Sequence, residues 1–316
     1  MKSVPFPQLQ AFLAVARRGG FTAAARDLGV SRSAVSQAVR QLEEELRVVL
    51  LARTTRSVSL TDAGRRLMEA AGPAMGQAEA ALTQAAAKPG EVVGRVRLSV
   101  PRAAVPFVID PVLAGFRARH PRIEVEVVVE DRLVDIVAEG YDAGVRLIET
   151  IERDMVGIRL TDPFRFVVVG SPDYLARRGI PARPEDLLQH ECITFRSGTT
   201  GALYAWELEK GSRTWRVPVR GSVVSNDGDL LAVLAEQGLG LVYAFEPLVI
   251  ERIRSGRLQR VLEAYSPTVP GFFLYFPSLA QSSMPLRLFV ETAKELSVRA
   301  VTTGGDVVRR TRRTPG

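Results

Sequence analysis

Cysteine and histidine are nearly missing from this chain of 316 residues, which has one cysteine, Cys192, and two histidines, His120 and His190. A single cysteine excludes an intramolecular disulfide and any site with several thiolate ligands, and two histidines leave little for zinc. No G-x-S-x-G elbow, G-K-[ST] phosphate loop or H-E-x-x-H helix occurs, so nucleophile, nucleotide and zinc chemistry lack motif support. His190 and Cys192 stand two apart on a candidate strand, but a lone cysteine there is ordinarily a core residue. No catalytic residue, cofactor or metal is expected. No stretch approaches the roughly 18 to 20 uninterrupted apolar residues of a membrane span. The first seven residues also lack the apolar run of an export signal, so the expectation is a cytoplasmic chain without membrane contact.

What is present is basic and unevenly so. The net charge is +7; residues 1–66 hold eleven Lys/Arg against five Asp/Glu, residues 299–316 hold five against one, and the middle holds 26 against 29. A basic head suits a polyanion such as DNA, whose phosphates supply much of the affinity, although a solvated surface has the same charge. The last residues, 299–316, have no apolar periodicity and read as a basic, disordered tail.

"FTAAARDLGVSRSAVSQAVRQLEEEL", residues 21–46, reads as helix, tight turn, helix. Thr22 suits the cap of the first helix, Gly29 suits a left-handed end to it, and Ser31 suits the cap of the second. Ala24 and Ala25 permit a close helix crossing, while Val35, Leu42 and Leu46, with Ala38 or Val39 between them, face inward at helical spacing. A preceding amphipathic helix adds Leu9, Phe12, Leu13 and Val15 to that core. The other face of the second helix presents Arg32, Ser33, Ser36, Gln37 and Arg40 near its start, behind the cap Ser31. These side chains match base edges and phosphates in a major groove, with Arg on guanine and Gln on adenine. An ordinary three-helix bundle with a polar exterior is the plainer reading, and the clustering at one helix end argues against it.

"LLARTTRSVSLTDAG", residues 50–64, follows as two short strand-like pieces, a hairpin wing that would hold Arg53 and Arg56 near the DNA backbone. With "LQAFLAVARRGGFTAAARDLGVSRSAVSQAVRQLEEEL" and the later "GRVRLSVPRAAVPFVIDPVLAGFRARHP", the chain resembles the LysR-type transcriptional regulators up to about residue 297. One position departs: the family often has Gly after "LEEEL", where this chain has Arg47, and a left-handed cap there would cost Arg about 1 to 2 kcal/mol.

Residues 61–87 are Ala-rich with few breakers and read as one long helix capped by Thr61, roughly 39 Å long, more than a small head can cover. Leu67, Ala71, Ala74, Ala78, Ala81 and Ala85, with Met68, Met75 and Leu82 beside them, repeat at heptad spacing and suit pairing with a second copy. Packing on the helix's own domain is the alternative, and Pro73 interrupts the run. "AAAKPGEVVG" then has the punctuation of a hinge. Beyond it, strands near residues 96–100, 123–130, 164–169, 239–243 and 272–276 alternate with helices near 106–119, 133–139 and 230–236. That alternation predicts an α/β domain with largely parallel sheets.

The resemblance implies an α-rich winged helix-turn-helix head, a long linker helix, and an α/β effector domain of two subdomains like type 2 periplasmic binding proteins, with crossovers near 160–164 and 264–278. The expected division is a DNA-binding domain at 1–60 with its motif at about 21–40, a linker helix at 61–87, a hinge at 88–93 and an effector domain at 94–298. Within the last, subdomain I covers about 94–162 and 278–298, and subdomain II about 163–277. Ligands in such folds bind outside strand carboxyl ends. That rule nominates Ser99, Pro101 and Arg102, then Phe195, Arg196, Thr199 and Thr200, then Asn226 and Asp227, which otherwise make only a turn and a helix cap. Arg146 is a further candidate, unless Asp142 on the same strand face pairs with it. Arg102 and Arg196 would place positive charge on both sides of the cleft, so a small anionic or polar organic effector is expected.

The residues and the resemblance together point to a sequence-specific DNA-binding transcriptional regulator modulated by a small molecule. Its expected partners are double-stranded promoter DNA, a second copy in a dimer, a tetramer implied by the resemblance, and RNA polymerase if it activates. A soluble small-molecule binding protein would fit residues 90–297 alone and leave the basic head without purpose.

Overall fold

The computed structural model describes residues 5–53, 58–85, 91–147, 155–278 and 283–302. Helices α1 (Phe6–Arg18), α2 (Phe21–Asp27) and α3 (Arg32–Leu46) form the head, followed by the hairpin β1 (Leu51–Arg53) and β2 (Val58–Leu60). Phe12, Leu13, Val15, Ala24, Val35, Val39 and Leu42 make one buried core with Leu50, Leu51 and Met68. The tight turn between α2 and α3 works as its sequence requires: Gly29 is left-handed at φ 65°. Val30 N–H donates to Ala25 O and Gly29 N–H to Arg26 O, the paired bonds that close a helix on glycine. Thr22 is not the cap of α2, because that helix is capped two residues earlier, at Gly20, without a side-chain bond.

Helix α4 (Asp62–Ala85) starts on Thr61, whose hydroxyl accepts from Gly64 N–H at 3.1 Å and donates to Val49 O at 2.7 Å. Its first turns pack on the head through Met68, Leu67 and Met75. Its later turns leave that core: Ala78, Ala81 and Ala85 are exposed, and Leu82 is 73% exposed. Pro73 lies within the helix, and Arg17 donates to the neighbouring Gly72 carbonyl at 3.3 Å.

The remaining chain builds two larger sheets and two of two strands each. The first has the order β4-β3-β5-β15-β6, from β3 (Gly94–Val100), β4 (Ile123–Val129), β5 (Ala143–Leu147), β6 (Met155–Arg159) and β15 (Phe272–Pro277). Strand β3 runs parallel to β4 and β5, whereas β15 is antiparallel to β5 and β6. Helices α5 (Asp110–Arg119) and α9 (Met284–Thr302) cover it, with Phe116 edge-on to Phe289 at 5.2 Å. The second sheet centres on β7 (Phe164–Gly170), which pairs with β12 (Val242–Phe245), β13 (Gln259–Val261) and β14 (Thr268–Val269). All three pairings are antiparallel, against the expectation of largely parallel sheets. In this part only β8 (Thr194–Phe195) with β11 (Val224–Ser225), and the bridge of Cys192 to Leu241, are parallel among the described residues. Helices α6 (Pro172–Arg178), α7 (Gly228–Glu236) and α8 (Glu246–Arg254) and the hairpin β9 (Trp206–Lys210) and β10 (Arg213–Val217) complete this half. The chain passes between the sheets at residues 160–163 and returns between β14 and β15.

Residues 133–139 do not form the expected helix. Asp135 Oδ1 accepts from Val137 N–H and Ala138 N–H at 3.0 and 2.9 Å, so the segment closes as a single turn. The turn ends at Gly140, whose φ of 69° an L side chain resists. It lies against the head: Ala138 packs on the head core, and a Cβ at Gly140 would meet the Arg17 side chain at 2.9 Å. Cys192 is a buried core residue whose thiol burial pushes up to about 12, far from a nucleophile's range.

Candidate nucleic-acid interface and ligand cleft

Ser31 caps α3 by accepting from Ala34 N–H at 3.2 Å, which satisfies one of the free donors of the first turn. Val35, Val39 and Leu42 anchor the inner face, which leaves Ser31, Arg32, Ser33, Gln37 and Arg40 exposed and Ser36 half-buried on the outer one. The Ser31 and Ser33 hydroxyls lie 2.9 Å apart, and Arg40 donates to the Ser36 hydroxyl at 3.3 Å. Neither Arg32 nor Arg40 forms an ion pair among the described residues. Such a face offers donors and positive charge to a polyanion without first breaking an ion pair. The acidic end of α3 serves the fold instead. Glu43 Oε1 accepts from Leu50 N–H at 2.9 Å and Leu51 N–H at 3.1 Å, fixing where the hairpin starts. Arg47 takes the left-handed conformation at the end of α3, φ 55° and ψ 34°, so the strained cap is tolerated. The Arg53 side chain and all of Arg56 lie outside the described residues.

The second candidate site is a cavity of about 340 Å³ between the two sheets, lined by Arg102, Val129, Glu130, Asp131, Arg132, Gly198, Asn226 and Asp227. Of the residues nominated from sequence, Arg102, Asn226 and Asp227 meet here. Glu130, Asp131 and Arg132 were missed, although they follow β4 and the same strand-end rule finds them. Two contacts cross the cleft: Arg102 Nε lies 3.7 Å from Asp227 Oδ2, and Leu133 N–H donates to Thr199 Oγ1 at 2.7 Å. Thr199 therefore ties the two halves without lining the cavity.

The other nominated residues support the cleft from outside it. Arg146, only 5% exposed, donates to the carbonyls of Glu130 and Arg132 at 3.3 and 2.7 Å and to Ser99 Oγ at 3.1 Å. It holds the loops after β3 and β4 together rather than meeting a ligand, and burial lowers its pKa. Asp142 does not pair with it; that carboxylate accepts from Arg97 N–H at 2.7 Å, and burial raises its pKa. Ser99 is fully buried and Pro101 starts the short turn at Arg102. Phe195 packs into the core beneath β12, and Thr200 Oγ1 accepts from Ala202 N–H at 3.3 Å. Arg196 turns away to donate to Gly201 O at 2.7 Å, so the positive charge expected from both sides of the cleft is not assembled.

Charges within the cavity are largely matched. Arg132 pairs with Glu130 at 2.7 Å and with Glu139 at 2.7 Å, and the hydrogen bonds to Glu139 raise its pKa. Tyr141 donates to Glu130 at 2.7 Å, and burial with this bond pushes the phenol up to about 12.

Residues 6–65 match the bacterial regulatory helix-turn-helix proteins of the lysR family, and residues 89–297 match the LysR substrate binding domain. This chain belongs to the LysR family. The LysR-type chain is 35% identical to the HTH-type transcriptional regulator PgrR of Escherichia coli, over 93% of this chain and 98% of that one. It is 33% identical to PtxR, an HTH-type regulator of Pseudomonas aeruginosa, over 91% of each. Among solved structures it resembles CrgA, a LysR-type transcriptional regulator from Neisseria meningitidis, at 28% identity and TM-score 0.56, covering 92% of this chain and 97% of that one. Its fold also matches ArgP from Mycobacterium tuberculosis at TM-score 0.67 and 21% identity, over 92% and 96%. It is thus a transcriptional regulator with a DNA-binding head and an effector-binding domain.

Proposed function

We propose that the front of α3 reads one half of an inverted-repeat promoter site, and that two heads are paired by the later turns of α4. The observation that carries the first part is the exposed set Arg32, Gln37 and Arg40, whose two guanidiniums form no ion pair among the described residues, on a helix start whose other face is buried. Arg32 and Gln37 suit guanine and adenine edges; Arg40 and the wing residues Arg53 and Arg56 suit phosphates. The second part rests on Ala78, Ala81, Leu82 and Ala85, exposed at heptad spacing beyond the end of the head core. A second copy of the same helix covers them and doubles the DNA contact. The cleft around Arg102, Asn226 and Asp227 receives the effector, which shifts the balance of two subdomain arrangements by its difference in affinity for them. In this reading the protein works on cytoplasmic DNA as a dimer, or a tetramer of two dimers, and not as an enzyme. RNA polymerase is its partner at any promoter it activates.

The test is retention of genomic DNA fragments by the full-length chain followed by sequencing. Enrichment of a few fragments sharing two inverted half-sites is the expected result. Retention without any sequence preference would overturn the reading.

A further inference from the structure

Two backbone N-termini face the cleft, and in many folds such groups hold anionic ligands. Here the protein's own carboxylates occupy both. Asp227 caps α7, with Oδ1 accepting from Asp229 N–H at 3.0 Å and Leu230 N–H at 3.1 Å. Asp131 Oδ1 accepts from Arg102 N–H at 2.9 Å, at the start of the short turn after β3. Arg132 is already matched by Glu130 and Glu139. The charges left to meet a ligand are one guanidinium, Arg102, and two carboxylates, Asp131 and Asp227, all lining the same cavity. A dianion enclosed there would meet two carboxylates and a single guanidinium, and the uncompensated desolvation opposes it.

We propose that this cleft takes a zwitterion of the amino-acid or short-peptide class, its ammonium between Asp131 and Asp227 and its carboxylate on Arg102 and the Asn226 amide. The long 3.7 Å contact of Arg102 with Asp227 is the pair such a ligand inserts into, giving each partner a closer counter-charge. A ligand with both charges meets both the guanidinium and the carboxylates of the cleft, whereas an amine or a carboxylate alone meets one kind. This inference rests on the reading of the cleft as the effector site, and it narrows the anionic or polar effector expected from sequence to one bearing an ammonium group.

The experiment is a melting-temperature screen of the full-length chain against the twenty common L-amino acids and their homodipeptides, each beside its N-acetyl form and its amide, with succinate as a dianion. At least one zwitterion is expected to raise the melting temperature with saturation, and its N-acetyl form and succinate to give no rise. Asp131→Asn, which keeps an oxygen for the Arg102 N–H, is expected to raise the concentration for half-maximal shift at least tenfold. Arg102→Gln is expected to do the same. Absence of a shift from every amine-bearing compound, or a larger shift from succinate or an N-acetyl form, overturns the ammonium assignment. If an anion shifts the wild type and Arg102→Gln abolishes it, the cleft remains the effector site. A shift that survives both substitutions removes the cleft itself.

Discussion

The front of α3 and the cleft are both rich in charged side chains, yet they are built in opposite ways. On α3 the guanidiniums of Arg32 and Arg40 stand exposed and form no ion pair among the described residues. In the cleft Arg102 and Arg132 each lie within 4 Å of an acid. An open basic face attracts any polyanion and gains its selectivity from a few base contacts. A compensated cleft has little long-range pull, and selects by whether a ligand's own charges can replace the pairs it breaks. In the proposed reading one surface serves a partner of constant charge and the other discriminates among small molecules.

The largest effect on the first surface is expected away from it. Ala78→Glu places like charges in the proposed α4 seam, and separating the two heads should lower operator affinity about 100- to 10,000-fold. Sedimentation and operator titration check this together, and an unchanged oligomer would remove the seam. For the second surface, Arg146→Ala strands the carbonyls of Glu130 and Arg132 and should cost about 3 kcal/mol, since each buried unmet group costs roughly 1 to 3. Denaturant unfolding measures it, and a change under about 1 kcal/mol would show that water replaces the guanidinium at little cost. A smaller effect sharpens the view of α3 itself: Arg47→Gly should stabilise the head by about 1 kcal/mol by relieving the left-handed strain. Lowered stability would mean that Arg47 makes a contact worth more than its strain.

The two regions also differ in how much of them the sequence discloses. Much of the head was legible because its folding uses one short segment: of the residues expected inward, Val35, Val39 and Leu42 are buried and fix the helix, whereas Leu46 at its end is 45% exposed, and the outward polar residues are then on the other face. The Ser31 cap and the left-handed Gly29 follow from local chemistry. The cleft depends on strands far apart in sequence, so Arg102 and Asp227 were readable as strand ends, but Arg196, expected to bring charge to the cleft opposite Arg102, does not line the cavity. Its guanidinium is drawn off by the Gly201 carbonyl, which no pattern near residue 196 announces. Residues 133–139 have the apolar spacing of a helix, yet Asp135 satisfies the next backbone donors and Gly140 stops the turn. The antiparallel pairing around β7 likewise follows from where the chain crosses between sheets, a tertiary fact that alternating strands and helices leave open.

The central claim is that the start of α3 reads bases while its neighbours hold phosphates. Operator and random-sequence DNA titrations of Gln37→Ala, each across a salt series, test it most directly. The expected result is a loss of about 1 to 3 kcal/mol on the operator alone, with random-sequence affinity and the salt slope unchanged. Equal operator affinity and unaltered sequence preference in the variant would contradict it.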